Sequence, residues 1–200
     1  MWVKPSAQGV QGRTAMPFSA GEDVRLMVRV TQGDRRAFEA LYKGFHPRLS
    51  RFLTNLVRRP QIVEEVLNDT MLVVWSRAAT YNHTSKVSTW IFAIAYRKAM
   101  NALRRQDIPI EDKQSDQRPG DYLSADDGLE QQQLQTQLMK AISDLSADHR
   151  AVVDLTYFQD MNYRDIALIV ECPVDTVKTR MFHARRHLKR ALAGKAADWL

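Results

Sequence analysis

Between Asn162 and Arg190 an apolar rhythm with steps of three and four is broken once, at Glu171-Cys172-Pro173, and then resumes. Proline has no N–H to donate and suits only a first helical turn, so this stretch reads as two helices joined by a tight turn. Asn162 caps the first helix, with Asp165 three residues on to complete a box-like start. Ile166, Ala167, Ile169 and Val170 give that helix a buried side. Val174, Val177, Met181, Ala184, Leu188 and Ala191 give the second a single apolar stripe.

The other side of the second helix carries the chemistry. Thr176, Thr179, Phe182, His183, Arg186 and Arg190 point away from the stripe, with Lys178 and Lys189 on its flank. From Pro173 to Lys195 seven Lys or Arg stand against one acid, Asp175. A short helix, a turn and a basic helix make the helix-turn-helix arrangement that lays a helix in the major groove. The plainer alternative is an αα-hairpin with a solvated charged face.

Two hundred residues admit one large domain or two small ones, and a net charge of +6 points to an acidic partner, nucleic acid first. A single cysteine excludes an internal disulfide and fits a reducing cytoplasm. No run of about 18 apolar residues occurs, so no membrane span is expected. Residues 1–21, rich in Gly, Gln, Ser and Pro, read as a poorly ordered lead-in.

Apolar spacing predicts helices throughout and no sheet. One spans Glu22 to Thr31 and stops at Gly33. Asp34 caps a second, holding Phe38, Leu41, Tyr42 and Phe45. Pro47 is expected to restart the chain into a third helix that ends at Arg58-Arg59-Pro60. A long helix from Gln61 to Ala79 turns Val63, Val66, Leu67, Thr70, Met71, Val74 and Trp75 inward. It leaves Glu64, Glu65, Asn68, Asp69, Leu72 and Ser76 outside. After a polar loop, a helix from about Ser88 to Arg105 has Trp90, Ile91, Ile94, Ala95, Ala99, Met100 and Leu103 as core candidates. From Gln106 to Glu130 eight acids meet two bases among Pro and Gly breakers, the composition of a linker. It divides a helical domain at 22–105 from another at 129–194, with the linker at 106–128. The second domain opens with a helix from Leu129 to Leu145. Ser146 then caps a helix with Val152, Val153, Leu155 and Phe158.

Two further faces are informative. Glu65, Asn68, Asp69 and Leu72 share one exposed side, and an outward Leu among acids suits a protein interface; an ordinary solvated face is the alternative. The loop with Tyr81, Asn82, His83 and Lys86 leads into a helix carrying Arg97, Lys98, Asn101, Arg104 and Arg105. Opened DNA needs such a mix of cations, amides and aromatic surface. Trp90, at helical spacing with Ile94, reads as core. His183 and His187 lie four apart near Cys172, but two ligands do not make a metal site. No phosphate loop or nucleophile elbow is present, so no cofactor and no catalytic residue are expected.

This order of parts resembles the extracytoplasmic-function (ECF) sigma factors, two-domain promoter-specificity subunits of bacterial RNA polymerase. Glu64 to Trp75 is similar to the family's helix that meets the polymerase clamp. Ser88 to Arg105 is similar to its promoter-opening helix, and Leu145 to Arg190 to its −35-reading domain. Asn68-Asp69 stands where the family usually has Gln-Glu, and Glu171 where a Gly or small polar residue is common. Asp175 replaces a common Gly. The resemblance implies an all-α fold with a region 2 bundle and a region 4 helix-turn-helix. It implies that Glu65, Asn68, Asp69 and Leu72 meet core polymerase. Tyr81, Asn82, His83, Lys86, Arg97, Lys98, Asn101, Arg104 and Arg105 would meet the −10 element. Thr176, Lys178, Thr179, Phe182, His183 and Arg186 would meet the −35 element, with phosphates held by Arg180, Arg185 or Lys189. Implied partners are core polymerase (clamp and flap), promoter DNA and an anti-sigma factor, often membrane-tethered. The chemistry would belong to the polymerase, in the cytoplasm, under a stress or envelope signal. A free-standing helix-turn-helix regulator and a pure protein-interaction module are the rivals.

Overall fold

The computed structural model describes residues 20–106 and 129–192; all but the last two residues of the expected lead-in, nearly all of the acidic linker and the last residues lie outside them. Among the described residues every regular element is helical, bearing out the all-α reading. The helices are α1 (Ala20–Thr31), α2 (Arg35–Val57), α3 (Pro60–Ser76), α4 (Val87–Gln106), α5 (Leu129–Ser143), α6 (Ala147–Tyr157), α7 (Tyr163–Ile169) and α8 (Val174–Ala191), with a 3-10 turn at Ala78–Thr80. No described helix is long and apolar enough to cross a membrane.

Local chemistry sets the helix starts. Gly33, at φ +81°, makes the turn after α1. The Asp34 carboxylate then accepts from the backbone N–H groups of Arg36 (2.9 Å) and Ala37 (3.1 Å), covering two orphan donors of α2. Asn162 does the same for α7, accepting from Arg164 and Asp165 at 3.0 and 2.9 Å. Its box is completed differently from expectation, because the Asn162 side-chain amide donates to the Asp165 carboxylate at 2.7 Å.

Two sequence expectations are corrected. Pro47 does not restart the chain; it lies inside the 23-residue α2. The proline and Lys43, whose carbonyl it cannot serve, are both exposed residues. On the opposite side Leu41, Phe45, Leu49 and Phe52 are all buried and hold the helix continuous. In α8 the stripe ends on Leu192, which is buried, and not on Ala191, which is exposed.

Helices α1 to α4 form one bundle, with α2 packed on α1, α3 and α4. Helices α5 to α8 form another, in which α8 is packed on α5, α6 and α7. The bundles meet along α2–α6 and α4–α7, and a single apolar core runs through both. This explains Phe92 and Tyr96, which the spacing of α4 left outside the core yet which are 0% and 8% exposed. Helix α4 is covered on two sides, so its apolar surface is wider than one stripe.

Candidate nucleic-acid interface

On α8 the geometry follows from the buried stripe. Val177, Met181, Ala184 and Leu188 anchor the helix, which turns the opposite side to solvent. Phe182 is 62% exposed, and Thr179, His183 and Arg186 are exposed beside it. The His183 ring stands edge-on to Phe182, with centroids 5.6 Å apart. Thr176 is half-buried, at the margin of this surface. Lys178 pairs with Asp175 at 2.9 Å, and the same contact holds the Asp175 carboxyl below its usual range. Arg180 is not among the free cations. Its guanidinium is tied to Asp148 at 2.6 Å, which links α8 to α6. Arg185 donates to the Tyr157 hydroxyl at 3.1 Å.

The turn before α8 carries backbone strain. Glu171 sits at φ +52°, the left-handed region that glycine adopts without cost. The bend thus places a carboxylate at the tip of the turn.

The loop before α4 is organised by Asn82, whose side-chain oxygen accepts from the Thr84 backbone N–H (3.2 Å) and hydroxyl (2.7 Å). The aromatic surface expected at Tyr81 is instead core: the residue is 7% exposed and its hydroxyl donates to the Ser85 carbonyl at 2.6 Å. Its ring lies between His83 and Trp90, with centroids at 4.6 and 5.6 Å. Trp90 is half-buried against the core. Asn82, His83, Asn101, Arg104 and Arg105 are exposed. The three remaining cations of this face are engaged within the chain. Lys86 pairs with Asp165 at 3.1 Å, Arg97 with Glu171 at 2.8 Å and Lys98 with Asp69 at 2.8 Å.

Glu65, Asn68, Asp69 and Leu72 lie together on the outer side of α3, and Leu72 is 63% exposed. Two of them, Asn68 and Leu72, line a shallow groove of about 460 Å³ between α2 and α3 together with Arg35, Phe38, Tyr42, Met71 and Trp75. Phe38 meets Trp75 edge-on at 5.1 Å, which fixes an aromatic floor. Phe38 and Tyr42 were legible only as core spacing in α2.

Sequence reasoning missed a buried polar seam between the bundles. Asn55 of α2 donates to the Asp154 carboxylate at 2.6 Å, and Gln159 donates to its other oxygen at 3.4 Å. Arg48 donates to Gln159 at 3.0 Å and lies over Phe92. Arg48 and Asp154 are each 3% exposed. Burial raises the Asp154 carboxyl to about 6, against the lowering effect of those two hydrogen bonds. The signal was an acid inside the apolar run Ala151 to Leu155. At the rim, Tyr96 donates to Asp148 at 2.8 Å, and Arg150 donates to the Leu56 carbonyl at 3.0 Å. Burial, and then that bond to Asp148, push the Tyr96 phenol up, so it stays a donor.

Comparison with known proteins adds to this geometry. The family described as Sigma-70 region 2 matches residues 41–108, and Sigma-70, region 4 matches residues 135–188. The chain is 28% identical to the RNA polymerase sigma-H factor of Pseudomonas aeruginosa, over 86% of this chain and 94% of the relative. It is 29% identical to the ECF RNA polymerase sigma-E factor of Haemophilus influenzae, over 85% and 95%. Among solved structures, the sigma factor RpoE of Bartonella quintana in complex with the anti-sigma factor NepR aligns with a TM-score of 0.58 and 25% identity, over 74% of this chain and 92% of that one. CnrH, solved with the cytosolic domain of CnrY, shares the fold at a TM-score of 0.62, with 20% identity over 87% and 99%.

Proposed function

The chain belongs to the sigma-70 family, of the ECF type, and from that premise we propose how its surfaces make it a promoter-specificity subunit of bacterial RNA polymerase. The groove between α2 and α3, lined by Asn68 and Leu72, and the neighbouring Glu65 and Asp69 dock on core polymerase. Leu72 and the Phe38–Trp75 floor supply apolar contact, while Glu65 and Asp69 supply charge. The loop at Asn82–Lys86 and the cations of α4 receive the −10 strand as it unpairs. Helix α8 enters the −35 major groove, where Arg186 and Lys178 reach base edges and Phe182 offers an apolar contact. Lys189 is left to position the helix on phosphate. The polymerase carries out nucleotide transfer, so the chain acts in the cytoplasm as a non-enzymatic initiation factor. By likeness to the relative solved with an anti-sigma factor, such an inhibitor is the expected third partner.

One observation carries this reading: both sigma-70 modules stand in order on one chain, and the second turns Phe182 and Arg186 outward from a buried stripe. Run-off transcription with bacterial core polymerase on genomic fragments tests it. Selective starts at a shared upstream motif are expected. Operator binding by the chain alone, with no selective starts when core is added, would replace it with a free-standing regulator.

A further inference from the structure

An acid stands on the reading face of α8. Asp175, Thr179, Phe182 and Arg186 follow one another at steps of four, three and four, which stacks them on one side of the helix. That side is opposite the buried Val177, Met181, Ala184 and Leu188. The Asp175 side chain is 88% exposed. It is the one acid of α8, against six Lys or Arg. A carboxylate alone at this place would repel the phosphates of a duplex.

Lys178 removes that difficulty. Its Nζ lies 2.9 Å from Asp175 Oδ1, one helical turn along. The contact holds the carboxyl below its usual range, so the acid stays ionised. As a unit the pair is neutral and can approach DNA without repulsion. Among the described contacts the carboxylate is bound by this side chain and by no backbone N–H, so it does not cap the helix. Asp175 Oδ2 is left to accept, and Nζ has further protons to give. The next residue on the face, Thr179, has committed its hydroxyl proton to the Asp175 carbonyl at 2.9 Å. Phe182 has no side-chain polar atom. Hydrogen-bond reading at this end of α8 therefore falls to Asp175 and Lys178.

The pair has a definite complement. In the major groove a G·C pair shows two neighbouring acceptors, guanine N7 and O6, and then a donor, the cytosine N4 amino group. An ammonium beside a carboxylate mirrors that row: Nζ donates to N7 and O6, and Oδ2 accepts from N4–H. An A·T pair sets its donor, adenine N6, between separated acceptors, with the thymine methyl beyond. The ammonium would gain one acceptor there and not two.

We propose that Asp175 is a specificity-determining residue that selects cytosine in the −35 element, reading one G·C pair jointly with Lys178. This rests on the placement of α8 in the −35 major groove. The acid acts as much by exclusion as by attraction. Against guanine O6 or thymine O4 the carboxylate would face an acceptor with no proton between them.

The test is initiation by the full chain with core polymerase on promoters randomised across the −35 region, followed by matched promoters that differ at one base pair. The parent should select one G·C pair, and changing it to A·T should lower initiation by about tenfold. Asp175→Ala should bring that preference within about threefold and leave the other selected positions as in the parent. Asp175→Asn should shift the selection there to A·T, because an amide pairs with adenine N6 and N7. N4-methylcytosine at the selected pair puts a methyl group where the carboxylate accepts. It should slow the parent by about tenfold and Asp175→Ala by less than about twofold. Circular dichroism should show parental helicity in both variants, since the side chain is exposed. A selection by Asp175→Ala identical to the parent's, relaxation at an A·T pair, or equal loss on every promoter would overturn the cytosine contact and leave α8 in its groove. A parent that selects no −35 sequence would sink the placement of α8 itself, which separates the two failures.

Discussion

Lys98 of α4 and Asp69 of α3 hold each other, Nζ to Oδ2 at 2.8 Å. The proposed strand-receiving and polymerase-docking surfaces therefore share this ion pair. Asp69→Arg places two cations together and removes the docking acid. Co-purification with core polymerase should be lost, while helicity and melting temperature stay close to the parent, since an exposed pair contributes about 1 kcal/mol or less. Retained co-purification would move the docking face away from Asp69.

Arg186→Ala should weaken −35-dependent initiation by about 1–3 kcal/mol if the guanidinium reads a base edge. Phe182→Ala should do the same with no loss of stability, because the ring is already 62% exposed. Promoter-strength measurements on templates with and without the −35 element separate reading from a general phosphate role. Equal loss on both templates would count against base contact.

Asp154 sets a pH dependence. Its carboxyl rises from 3.8 to about 6 on burial, so the folded chain binds that proton more tightly than the unfolded one. The resulting stability is fully present below pH 3.8 and is lost as pH rises through about 6. Asp154→Asn should shrink the stability difference between about pH 5 and pH 8 by about 1–2 kcal/mol in denaturant titrations. Asp23, raised by burial to about 6, titrates in both proteins and cancels in the comparison. An unchanged slope would mean that Asp154 is hydrated.

Glu171→Gly should relax the turn. A left-handed residue with a Cβ costs about 1–2 kcal/mol, partly offset by the greater freedom of glycine in the unfolded chain. The variant should melt slightly higher, by about 1 kcal/mol or less, even though it gives up the pair with Arg97. A lower melting temperature would show that the ion pair outweighs the backbone term.

Phe92→Ala removes a ring that is 0% exposed, packed edge-on to Phe52 at 5.3 Å and lying under Arg48. A loss of about 3–5 kcal/mol is expected, read by equilibrium unfolding. A cost below about 1 kcal/mol would mean that the site collapses around the change.

Most helices were legible because each carries one apolar stripe and a recognisable start, as at Asp34, Ser146 and Asn162. What escaped was whatever depends on a second neighbour. Phe92 and Tyr96 looked outward on a single-stripe reading because the chain alone does not say that α4 is covered twice. Tyr81 looked like stacking surface because an aromatic in a polar loop gives no hint of where its ring turns. The pairing of Arg180 with Asp148, 32 residues earlier, was likewise not legible from the spacing of α8. Pro47 misled for a simpler reason: the local cost of a proline at an exposed position of α2 is outweighed by the buried Leu41, Phe45, Leu49 and Phe52 on the other side.

The buried seam bears on how freely such chains can exchange parts. Asn55 and Arg48 on one side are matched to Asp154 and Gln159 on the other, donor to acceptor. A chimera that grafts a relative's −35 reader onto this N-terminal half would strand Arg48 and Asn55 against mismatched groups. Address and engine are therefore not independent cassettes here, and a swap of promoter preference has to carry its own half of the seam with it.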